Sequence, residues 1–66
     1  MIAFENLVKY AYYIVHSKKY NYYTVGLLMY KGENEGDAKI LLMGHSVVSS
    51  IKNMEFLERI VMPEDK

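Results

Sequence analysis

The 66-residue sequence has no cysteine and no tryptophan, one proline and four glycines. Without cysteine there is no disulfide framework, no thiolate metal ligand and no thiol nucleophile. No apolar run approaches the roughly 20 residues that a membrane helix needs. Charge of one sign is not in excess either, since eight Lys and Arg balance eight Asp and Glu. Duplex-DNA binding, which usually needs a basic face, is therefore not expected. The N-terminus lacks a basic segment followed by an apolar core, and Glu5 stands where that core would be. A cysteine-free chain of this kind is expected in a reducing compartment, the cytoplasm of a host cell, with no membrane partner.

What is present is apolar and aromatic. Hydrophobic residues make up 52% of the chain, too many for disorder. The length allows one small domain whose own core is marginal. The charge is split: residues 1–31 carry four lysines against Glu5, a balance of +3, and residues 32–66 carry −3. Such a dipolar chain can pair with a second copy of itself.

The periodicity predicts an α+β fold. Phe4, Leu7, Val8, Ala11, Ile14 and Val15 fall at helical spacing, so an N-terminal helix is expected over 3–16, with Glu5 and Lys9 as an i,i+4 pair. The strand propensity of Tyr10, Tyr12, Tyr13, Ile14 and Val15 competes with that reading. Two glycines between 32 and 36 mark the turn of an antiparallel β-hairpin with strands at about 22–31 and 37–45. That spacing sets Leu27 opposite Leu41, Met29 opposite Lys39 and Tyr23 opposite His45. A C-terminal helix is expected over about 47–62, capped by Ser46 or Ser49 and stopped by Pro63, with Met54, Leu57, Ile60 and Val61 on one arc. A strand over 56–62 is the alternative. Glu64 to Lys66 reads as a solvated tail. Both hairpin faces are largely apolar, and a sheet wet on one side should alternate instead. A homo-oligomer completing the sheet or core is therefore expected.

Seven tyrosines are the oddest feature, six of them between Tyr10 and Tyr23. Each offers a stacking face and a hydroxyl. Burying all six would demand six hydroxyl partners, so some should face a ligand or partner. Lys18, Lys19, Tyr20, Tyr22 and Tyr23 interleave charge and aromatics as single-strand nucleic-acid sites do, although two lysines are few for that task. A polar connector entering a strand is the plainer reading. Gly44, His45 and Ser46 stand at the expected helix start, where free N–H groups and the dipole favour an anion, with Ser49 adding a hydroxyl. Ordinary capping plus a surface histidine is the plainer reading of those residues on their own.

Catalysis has little support. No nucleophile elbow is present, and no carboxylate pair falls on an apolar surface. Glu33, Glu35 and Asp37 alternate like calcium-loop ligands, but the twelfth position is Gly44 rather than Glu. His16 and His45 lack metal-ligand spacing. No cofactor, metal or catalytic residue is expected. The sequence points to a non-enzymatic, homo-oligomeric binding protein that sequesters a small anionic, nucleotide-like ligand. Its ligand-binding set is Lys18, Lys19, Tyr20, Tyr22, Tyr23, Gly44, His45, Ser46 and Ser49. The alternative is a protein–protein inhibitor or adaptor, of the accessory kind carried by viruses or mobile elements, that blocks a host protein.

Overall fold

Five strands, and no helix longer than a single turn, build the described part of the chain. The computed structural model describes residues 1–61. A 3-10 turn at Phe4–Asn6 precedes β1 (Tyr12–Ser17) and β2 (Tyr22–Tyr30). A second 3-10 turn at Glu35–Asp37 leads to β3 (Lys39–Leu42), β4 (Ser49–Ser50) and β5 (Met54–Ile60). All pairings are antiparallel, in the spatial order β4-β3-β2-β1-β5.

This order forces the sheet to curl. β4 and β5 lie at opposite ends of five strands, about 19 Å apart if the sheet were flat. Only Ile51, Lys52 and Asn53 join them, a reach of about 14 Å. Two bulges add bend and twist. Leu57 is the extra residue between the Ile14–Glu58 and Val15–Phe56 pairs, and Met29 is extra between Leu28–Ile40 and Tyr30–Lys39. The inner face then closes over Tyr13, Val15, Leu28, Ile40, Leu42 and Phe56, with Leu7 and Ala11 packed from the N-terminal segment. Gly26 sits on that face because a Cβ there would stand 2.5 Å from Ile40 Cδ1.

The expected N-terminal helix over 3–16 is absent. Leu7, Ala11 and Val15, three positions of its apolar stripe, are indeed buried. They reach the core from a turn exit, a strand entry and mid-strand. β1 is a central strand, flanked by β2 and β5, so both its faces carry apolar residues and the alternation of a strand is lost from the sequence. The expected C-terminal helix over 47–62 is also absent. Phe56 is 4% exposed while Leu57, on the proposed helical arc, is 37% exposed, so that arc is not the buried face, and Met54–Ile60 pairs with β1 as a strand. Val47 and Val48 are exposed in the connector before β4. Ser46 and Ser49 therefore cap nothing, and the expected roles of Met62, Pro63 and the tail fall outside the described residues.

The hairpin of β2 and β3 is present, with Leu27 opposite Leu41, but it is shorter than expected. β3 ends at Leu42, so Tyr23 does not meet His45, and the bulge places Tyr30 rather than Met29 opposite Lys39. Its closing segment is an eight-residue connection in which the Asn34 side chain accepts from the Gly36 N–H at 3.0 Å. The inner face needs neither flanking helices nor a second copy, because the curled sheet covers it. The outer face carries Tyr12, Ile14, Val25, Leu27, Leu41 and Met43, half-buried to exposed, with no element of the described chain laid over it.

Candidate functional site

Three connectors meet at one end of the curled sheet. The first is the β1–β2 turn, Lys18 to Asn21. Its geometry follows from Ser17, whose Oγ accepts from the Tyr20 N–H at 3.3 Å and whose carbonyl accepts from the Asn21 N–H at 2.7 Å. Asn21 closes the turn at φ 54°, a left-handed conformation that asparagine tolerates. The second is the β4–β5 turn, where Asn53 has φ 65° for the same reason. The Lys18 N–H donates to the Asn53 carbonyl at 2.8 Å and ties these two turns together. The third follows β3. The His45 N–H donates to the Leu42 carbonyl at 2.9 Å, closing a β-turn with Gly44 at φ 85°.

Between the connectors lies a cleft of about 280 Å3. Lys19, Tyr20 and Tyr22 line it from the first hairpin, His45, Ser49 and Ser50 from the segment around β4, and Lys52 and Asn53 from the last turn. Ser17, Leu42 and Met54 also contribute, and the first two are buried. The Tyr20 and Tyr22 rings stack at 6.3 Å between centroids and 27° between planes. Lys19 Nζ lies 5.2 Å from the Tyr20 ring centre. Among the described residues no carboxylate lines the cleft. Two ammonium groups with no acidic neighbour in the lining, hydroxyls and stacked rings suit an anion that carries a flat ring.

Five of the expected residues, Lys19, Tyr20, Tyr22, His45 and Ser49, are thus brought together. The other four are not. Lys18 lines a separate cavity under the N-terminal segment, beside Phe4, Glu35 and Glu55. Tyr23 points to the outer face and packs on His16, 4.6 Å between ring centroids. Gly44 lines an outer-face pocket, and Ser46 lines none of these cavities. With no helix after Ser46, the helix-dipole argument for anion binding falls away, and any anion must be held by Lys19 and Lys52. Sequence reasoning misses Lys52 and Asn53 because the expected helix runs through them; the Lys-Asn pair between Ile51 and Met54 is the available turn signal.

Burial of tyrosine follows the hydroxyl count. Only Tyr13 is buried, and its hydroxyl accepts from the Val8 N–H at 2.8 Å. Tyr10, Tyr12, Tyr20, Tyr22, Tyr23 and Tyr30 all keep substantial exposure.

His16 braces the turn that carries Lys19 and Tyr20. Nδ1–H donates to Glu55 Oε1 at 2.9 Å, and Nε2–H donates to Asn21 Oδ1 at 3.0 Å. Both ring nitrogens face acceptors, so the doubly protonated ring satisfies both. The hydrogen bond to Glu55, then that to Asn21, raises the His16 pKa above its ordinary 6.5, against the opposing effects of desolvation and Lys18. The folded state therefore holds this proton more tightly than the unfolded state. The stabilisation is full below pH 6.5 and is lost as pH rises through the raised folded value. Urea midpoints measured across that window should fall with pH, and the fall should be smaller in His16→Ala. Equal pH slopes for the two proteins would show that the brace does not form.

Among the described residues no helix is long and apolar enough to cross a membrane, and no group of three or more His, Asp or Glu could hold a metal ion. No protein-family model, curated protein or solved structure matches the chain.

Proposed function

We propose that the chain is a non-enzymatic binding protein that captures a small anionic, nucleotide-like ligand in the cleft between its three connectors. The observation that carries this reading is the convergence of Lys19, Lys52 and the stacked Tyr20–Tyr22 pair in one lining that contains no carboxylate among the described residues. The lysines hold the phosphate, the exposed rings take the base, and Ser49, Ser50 and His45 supply hydrogen bonds. A protein that binds in this way without a catalytic group acts by sequestering or sensing its ligand, here in the cytoplasm of a host cell. One chain supplies the whole lining, so capture does not require a second copy; self-association, where it occurs, uses the outer face.

That outer face favours a second reading, an inhibitor or adaptor that covers a host protein. Tyr12, Leu27, Leu41 and Met43 form an uncharged surface of the kind protein partners bury.

Calorimetry against mono-, di- and cyclic nucleotides separates the two. The ligand reading expects a mononucleotide such as AMP to bind more tightly than adenosine or inorganic phosphate alone, because ring and anion are held together. No heat with any nucleotide at high micromolar protein would remove it and leave the protein-contact reading.

A further inference from the structure

A single cleft of about 280 Å3 lies at the small end of ligand pockets, which run from about 300 to 1,000 Å3. It holds about one base, sugar and phosphate. A second pocket of about 280 Å3 lies on the other side of the same rim. Tyr12, Val25, Leu27, Leu41 and Met43 line it, with no charged side chain among them. His45 and Leu42 line both spaces, so the two adjoin at the end of β3. The rim between them is bare at Gly44, where a Cβ would find no atom within 4 Å. This division of chemistry is asymmetric. The cleft has cations, hydroxyls and rings, whereas the outer pocket, apart from the His45 it shares with the cleft, has only apolar side chains and the ring of Tyr12.

We infer that the ligand is a linear dinucleotide, with its phosphorylated unit in the cleft and its second base over the rim in the Tyr12–Met43 pocket. This rests on the cleft reading and extends it. The anionic end meets Lys19 and Lys52. The linking phosphodiester passes Gly44, where no side chain obstructs it, within reach of the His45 ring. The second base lies against Tyr12 and Met43, contacts that accept any base because every base has an apolar face. A ligand with one base leaves the outer pocket empty, and a ligand without phosphate leaves both lysines without a counter-charge.

The test compares AMP with the linear dinucleotide pApA by calorimetry, on the wild type, Met43→Gln and Tyr12→Ala. Met43 is 70% exposed, so its substitution leaves the fold intact even if Tyr12→Ala does not. The expected result is pApA binding at least tenfold more tightly than AMP, with most of that gain lost in Met43→Gln while AMP affinity is unchanged. Equal affinities for AMP and pApA, with AMP bound, overturn the inference and leave the cleft reading standing. A pApA advantage that survives both substitutions also overturns it. So does a wild-type dimer in sedimentation that Met43→Gln dissociates without affecting pApA, since a second copy then owns that face. If neither nucleotide binds, the cleft reading falls and takes the inference with it.

Discussion

Phe56→Ala is expected to leave the domain largely unfolded at room temperature. Phe56 is 4% exposed, and its ring meets Tyr13 edge-on, 5.4 Å between centroids and 84° between planes. It stands opposite Val15 on the central strand, and its carbonyl accepts from the Ile2 N–H at 2.7 Å, which docks the N-terminal segment. Truncating a buried phenylalanine costs about 3–5 kcal/mol. A single core in a chain this short supplies about the same total. Leu57→Ala, one residue along at the bulge and 37% exposed, is expected to cost under about 1 kcal/mol. Thermal melts followed by circular dichroism read both. The contrast also separates strand from helix. On the helical arc of Met54, Leu57, Ile60 and Val61, Leu57 would be the core residue and its truncation the damaging one.

Replacing Lys19 and Lys52 together by alanine is expected to abolish measurable nucleotide binding while leaving the melt unchanged. Both lysines line the cleft, and among the described residues no carboxylate lines it with them. A hydrogen bond from an ammonium to phosphate is stronger than a neutral one, so each lysine is expected to contribute roughly tenfold or more in affinity. The single variants should each weaken AMP, scarcely affect adenosine, and flatten the dependence of affinity on salt. Lys9→Ala is the control, because Lys9 Nζ sits between the Tyr10 and Tyr30 rings, 4.8 Å and 5.8 Å from their centres, and is absent from the cleft lining. Loss of binding in Lys9→Ala equal to that in Lys19→Ala would mean that the anion is held by diffuse charge.

The sequence carried the β2–β3 pairing because it is set locally. Two glycines within five residues and apolar residues on both flanks fix Leu27 opposite Leu41. The first and last strands of the chain are hidden for a physical reason. β1 is apolar on both faces, since Tyr13 and Val15 face the core while Tyr12 and Ile14 join the outer surface. Without alternation its residues also fit a helical stripe. In β5 the bulge at Leu57 breaks the period of two just where Phe56 would have revealed it. Both errors have one origin: pairing between β1 and β5 joins residues some 40 positions apart, and no local pattern reports it.

The same distance rule governs the candidate site. Lys19, Tyr20 and Tyr22 were legible as one segment. His45 and Ser49 were found beside them, but for the wrong reason, since the expected helix start is a β-turn and a short strand. Lys52 was not seen at all, because it reaches the cleft only when the sheet curls and the Lys18 N–H meets the Asn53 carbonyl. Tyr23 lost its place through strand alternation, which sends it to the face opposite Tyr22. The apolar excess read from composition is real, and it is now located on the outer face of β1, β2 and β3.

The most direct test of nucleotide capture in the cleft is an amide NMR titration of the isotope-labelled chain with AMP. The account predicts saturable shifts concentrated at Lys19, Tyr20, Tyr22, His45, Ser49 and Lys52, with the far-end residues Lys9 and Tyr30 unmoved. Saturable shifts that leave those six residues untouched, or no shifts at millimolar AMP, would contradict it.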